Sequence, residues 1–204
     1  YEALVTPDQV THVPYTVTYT QSFDAAPAFF AAMHTFDGGD PSHMRQSSVT
    51  ATNAVIWVEE ETCTDAELAH TTETIGVLAM DTGAAVAGAA DFEVGMASAD
   101  LSVVNIRFAG EYSSPVIIAG TPTHNGDEEL SIRIMAIRSK SFDLYADIPN
   151  HGYGQGAICG GNSHASEDFA FLIIDSGQGG QMEANADTYG QCSGGSLCNA
   201  ANGC

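Results

Sequence analysis

One short pattern occurs twice, and it constrains the fold more than any other feature of the chain. His70-Thr71-Thr72-Glu73 runs into Thr74 to Gly83, and His164-Ala165-Ser166-Glu167 runs into Asp168 to Gly177, aligned without a gap. The correspondence extends upstream at one constant offset. Pro27, Ala31, Thr35, Gly38 and Arg45 fall on Pro115, Ala119, Thr123, Gly126 and Arg133, while Ile56-Trp57 falls on Leu144-Tyr145. A one-residue gap further back sets Val17, Tyr19 and Phe23 opposite Ile106, Phe108 and Tyr112. An internal repeat of this length reads as two homologous modules, each near the lower size limit of a stable domain. The chain divides into residues 1–100, residues 101–190 and a tail of residues 191–204.

Strand signals dominate, and no long stretch shows the 3.6-residue apolar period of a helix. Tyr15 to Thr20, Ala28 to Met33, His43 to Val49, Ala54 to Glu59 and Thr74 to Met80 are short, rich in β-branched or aromatic residues and separated by turn residues. The second copy repeats them at Val104 to Phe108, Val116 to Ala119, Leu130 to Ile137, Phe142 to Ala146 and Asp168 to Ile174. Asp37-Gly38-Gly39-Asp40-Pro41 and Asn125-Gly126-Asp127 supply turn chemistry at equivalent places. The expected fold is all-β: two tandem six-stranded antiparallel β-sandwich modules. Within Ile75 to Met80 and Phe169 to Ile174 nearly every residue is apolar, which marks strands buried on both faces. One face meets the module's own core. The other needs a cover: the sister module, the apolar 84–102 linker or another subunit.

Charge narrows the partners. With 26 acidic residues against 5 Lys plus Arg, the net charge is −21. Such a chain repels nucleic-acid phosphate and anionic membrane surfaces, so neither is an expected partner. No apolar run is long enough to span a bilayer. The absence of an initiator Met reads as processing or as a piece of a longer chain. The disulfide candidates are Cys63, Cys159, Cys192, Cys198 and Cys204; the last three sit in a Gly/Ser/Asn-rich tail that looks like the start of a stapled segment. Their spacing is wider than that of usual zinc sites. An odd count leaves a free thiol, an intermolecular bridge or a partner beyond residue 204. Extracellular placement, secreted or at a cell surface, follows.

Three groups carry candidate chemistry. His70 with Glu73, and His164 with Glu167, suggest a metal site or an acid–base pair. On a regular strand residues three apart face opposite ways, so the expectation is that each pair is split across the sheet and serves as a structural anchor. The Glu of each module would then pair with that module's arginine. Arg45 and Arg133 are two of only four arginines and occupy matched positions. They suit either a bidentate grip on a sugar or carboxylate, or that salt bridge. Asp37, Asp40 and Asp127, in equivalent turns, are weak metal candidates; calcium is the only cofactor they suggest. Nucleophile elbows, phosphate loops and Cys–His pairings are not legible, which argues against an enzyme.

The combination resembles the H-type lectin domain, a small six-stranded β-sandwich. Ile106-Arg107-Phe108, Tyr112, Pro115 to Ile118, Ile132 to Ile137, Phe142-Asp143-Leu144 and Phe169 to Ile174 carry the resemblance in the second module. Phe23, Pro27, Arg45, Val49 and Ile56 repeat the skeleton in the first. The family binds sugars such as N-acetylgalactosamine at subunit edges with an arginine of the central strand, which the resemblance places on Arg45 and Arg133. The family's tryptophan has no counterpart here, and its histidine lies farther ahead of the last strand. The His-x-x-Glu start is similar to a variant in repeats of large surface proteins. The expected function is a non-enzymatic structural or adhesive protein that self-associates, or binds other surface proteins, in a fibre, appendage or matrix. The alternative is a carbohydrate-binding lectin using Arg45 or Arg133.

Overall fold

The computed structural model describes residues 1–61, 67–87, 90–148, 163–175, 189–191 and 197–199. It is all-β. The strands are β1 (Glu2–Val5), β2 (Tyr15–Thr18), β3 (Ala28–Met33), β4 (Ser42–Val49), β5 (Asn53–Glu60), β6 (Ile75–Met80), β7 (Gly83–Ala87), β8 (Ala90–Ala99), β9 (Val104–Arg107), β10 (Pro115–Ala119), β11 (Ser131–Arg138), β12 (Ser141–Asp147) and β13 (Glu167–Asp175). A small pair, β14 (Tyr189–Gln191) and β15 (Leu197–Asn199), follows.

Strands β1 to β6 form two three-stranded antiparallel sheets, ordered β1-β6-β3 and β2-β5-β4. The later strands repeat this plan as β8-β13-β10, extended by β7 on the β8 edge, and β9-β12-β11. Register repeats as well as order. Arg45 pairs with Trp57 as Arg133 pairs with Tyr145, and Phe30 pairs with Leu78 as Ile118 pairs with Leu172.

Each half has its own core between its two sheets. Alternation along the strands sends Phe29, Met44, Ile56, Val58, Ile75 and Val77 inward in the first half. In the second half Phe108, Phe142, Leu144, Phe169, Phe171 and Ile173 do the same. The aromatic corner recurs: Tyr19 and Phe23 stand edge-to-face with centroids 5.3 Å apart, and Phe108 and Tyr112 at 5.5 Å.

The doubly apolar strands find part of their cover in each other. A third cluster joins Ala28, Phe30 and Met80 of the first half to Val94, Ala170 and Leu172 of the second, so the outer faces of β3 and β6 meet those of β8 and β13. The 84–102 stretch supplies that cover in part: its described strand residues belong to β7, up to Ala87, and to β8 (Ala90–Ala99). β7 pairs antiparallel with β8, and β8 lies ahead of the 100/101 division yet bonds to β13.

Candidate functional site

The repeated motif builds the same small device twice. Glu73 is almost wholly buried, in an isolated bridge opposite Val10 just ahead of β6. Its carboxylate accepts hydrogen bonds from the Thr35 hydroxyl and from the backbone N–H groups of Asp37 (2.8 Å) and Gly38 (3.1 Å). In the second half Glu167 accepts from Thr123 Oγ1 (2.5 Å), Asn125 N–H (2.7 Å) and Gly126 N–H (2.9 Å). A buried carboxylate thus clasps a Thr-x-Asp/Asn-Gly turn by its N–H groups, and the turn's donors find their acceptor. Burial works against the charged Glu73, but the bonds from Thr35, Gly38, Asp37 and His70 outweigh it and hold the carboxyl down to about 2. The glycines are dictated by the histidines: a Cβ on Gly38 would collide with the His70 ring, and one on Gly126 would come within 2.7 Å of the His164 ring.

This geometry corrects the expectation that strand alternation separates the histidine from the glutamate. His70 Nε2 lies 3.1 Å from Glu73 Oε1. Residues 70–72 precede the strand in irregular backbone, so the period-2 rule does not apply to them. The histidines nevertheless differ. His70 Nδ1 meets the buried Glu60 carboxylate, so its ring bridges two acids. His164 Nδ1 faces Ala165 O (2.6 Å), its Nε2 faces Glu128 O (2.9 Å), and Glu167 lies 3.8 Å away. Each ring nitrogen thus faces a carboxyl or carbonyl oxygen. At the register position of Glu60 the second half has Ile148, which is buried and apolar.

The arginines do not pair as expected either. Neither bonds the His-x-x-Glu glutamate of its own half, Glu73 for Arg45 and Glu167 for Arg133. Arg45, on the outer face of β4, is completely buried because the 121–129 segment of the second half covers it. Its Nε is 2.8 Å from Glu59 Oε2, its Nη2 donates to Glu128 O (3.3 Å), and Glu167 Oε1 lies 3.9 Å away. Burial pulls the Arg45 pKa down, more than the opposed charges of Glu59 and Glu167 raise it. Arg45 Nη1 has no acceptor among the described residues. Fully enclosed, Arg45 is not presented to a soluble sugar. Arg133 is 58% exposed and donates from Nε to Asp147 Oδ2 at 2.9 Å.

Sequence reading missed the partners around Arg45. Glu59 gathers His43 Nε2 at 2.6 Å and His124 Nε2 at 2.9 Å, and the His124 ring stands edge-on to Trp57 with centroids 5.4 Å apart. Burial disfavours the Glu59 carboxylate, yet the His43 bond and the Arg45 charge overcome it and keep its pKa low. Alternation places Trp57 and Glu59 on the face opposite Ile56 and Val58, the one legible hint that this face has a role. Backbone bonds stitch the same seam: Gln46 N–H to Pro122 O (3.0 Å) and Ala31 N–H to Thr121 Oγ1 (2.8 Å).

Asp37, Asp40 and Asp127 are exposed on their turns. Among the described residues no group of three or more His, Cys, Asp or Glu side chains could hold a metal ion. Cys63, Cys159, Cys192 and Cys204 lie outside the described residues; Cys198 falls on β15.

Beside the shared apolar cluster the outer sheets part. An apolar groove of about 470 Å³ runs between Ala3, Val5, Phe30, Gly76 and Leu78 of the first half and Ile118 of the second. The His34 ring occupies the space above Gly76 on its floor. No family model, curated protein or solved structure matches this chain.

Proposed function

We propose that the chain is a non-enzymatic, extracellular structural and adhesive protein. On this reading it consists of two tandem H-type-lectin-like β-sandwich modules that self-associate in a surface fibre, appendage or matrix. The observation that carries the proposal is the apolar outer surface left open around the seam. Ile118 on β10 is 46% exposed and lines a groove with apolar walls, and Val116 on β10 (46%) and Met96 on β8 (52%) are exposed on the same sheet. Exposed apolar residues beside an apolar groove mark interaction sites. The strong negative charge keeps the free chain soluble until such surfaces meet. Sizing the purified protein and imaging it on grids, with and without reductant, tests the reading. Oligomers or filaments support it, and a strictly monomeric species under both conditions contradicts it.

A second reading, glycan recognition, rests on Arg133 alone, whose guanidinium is open to solvent beside Asp147. A glycan array repeated with Arg133→Ala checks it. Binding lost in the variant supports a lectin, whereas no binding to any glycan removes that reading.

A further inference from the structure

The seam between the halves is one-sided, and what it leaves unused is complementary. The first half contributes its β3 side, through Ala28, Phe30 and Met80. The second half contributes its β8 and β13 side, through Val94, Ala170 and Leu172. Register identifies the equivalents. Ala28 and Phe30 pair with Met80 and Leu78 as Val116 and Ile118 pair with Ile174 and Leu172. Glu2 pairs with Ala79 as Glu93 pairs with Ile173, so Ala3 and Val5 stand where Val94 and Met96 stand. The Glu2 and Glu93 carboxylates confirm the match, since each accepts the backbone N–H groups that follow the equivalent aromatic: Thr20 and Gln21, then Ala109 and Gly110.

The surfaces the seam uses are therefore present a second time and largely open: Val5, Val116 and Ile118 are exposed, while the His34 ring stands over Gly76 and Leu78 also touches the seam cluster. The equivalent of the first half's buried Ala28–Phe30 side is the exposed Val116 and Ile118 of β10. The equivalents of the second half's Val94, Ala170 and Leu172 are Ala3, Gly76 and Leu78, which line the groove. The polar part of the seam follows the same rule. Arg45 is covered by the turn that Glu167 clasps; Arg133 is exposed, and the turn clasped by Glu73 (Thr35, Asp37, Gly38) is its counterpart partner. A head-to-tail contact with both ends open recurs between molecules unless it closes.

We propose that the groove receives the β10 face of a second copy of this chain. Each copy seats Val116 and Ile118 against Ala3, Val5 and Leu78 of the other, and Arg133 comes to lie at the other's Glu73 turn. The new contact continues the existing apolar seam and reuses its geometry; it rests on the self-association reading above. Each copy carries −21, so the contact is opposed by repulsion that salt screens.

The test is sedimentation velocity on the full chain in reductant, at low and at high salt, with Ile118→Glu and Val5→Glu as variants. Both positions are exposed, so each variant should keep the wild-type circular dichroism and melting midpoint, which is measured alongside. The expected result is a reductant-resistant dimer, tighter at high salt and at least tenfold weaker in each variant. A monomer at all salts, or a dimer indifferent to both substitutions, overturns the proposal. Failure of the fibre reading looks different: the dimer forms, and no larger species appears with or without reductant.

Discussion

The two clasps share a plan and differ in what surrounds it. Around Glu73 the charge is settled inside one half, where His70 bridges Glu73 and Glu60. Around Glu167 the neighbouring histidine points both nitrogens at carbonyls, and the arginine that approaches the carboxylate comes from the other half. A repeated motif can thus be a self-contained turn lock in one copy and part of the seam between the halves in the other. The clasp itself belongs to the fold; the group that comes to it belongs to the assembly.

The arginines sharpen that contrast most. Arg45→Ala strips a fully buried cation from Glu59 and Glu167 and should cost about 3–5 kcal/mol in urea unfolding. Arg133→Ala removes an exposed pair and should change stability by less than about 0.5 kcal/mol. Equal costs would erase the distinction between the copies.

Acid titration tests the Glu73 clasp next. The Glu73 carboxyl sits at about 2 when folded, below its ordinary 4.5, so its stabilisation is complete above the unfolded value and is lost as pH falls toward 2. The Glu73→Gln variant should be less stable than wild type at neutral pH and converge with it near pH 2, followed by chemical denaturation across that range. A constant gap at every pH would show that the carboxylate's charge is not what holds the turn.

The smallest contrast is one of likeness. Gly38→Ala and Gly126→Ala each push a methyl into a histidine ring and should each cost about 1–3 kcal/mol by thermal melting. A neutral substitution at either site would mean that its ring swings aside.

Much of the fold was legible in the chain. The expected strands Ala28 to Met33, His43 to Val49 and Phe142 to Ala146 lie within a residue of the observed ends, because turn residues bracket them. The double burial of β13 was readable from Phe169 to Ile174, since uninterrupted apolar residues leave no solvent face. The first strand of each half was not. Equivalence of β1 and β8 is visible only through their pairing with β6 and β13, because unequal loops shift the offset from one strand to the next. The site was less legible than the fold. The matched arginines and the His-x-x-Glu pairs stood out, but their partners did not, for two physical reasons. Residues 70–72 are not strand, so strand periodicity does not govern them. The groups that reach Arg45 and Glu59 from the other half, namely Glu128, Glu167 and His124, come from a half whose placement no local pattern encodes.

The central claim is that Arg45 and the apolar seam make the two halves one unit. Scanning calorimetry tests it most directly. The wild type should unfold in a single transition with equal calorimetric and van't Hoff enthalpies, and Arg45→Ala should split it into two. Two transitions in the wild type, or a single one unaltered by Arg45→Ala, would contradict the claim.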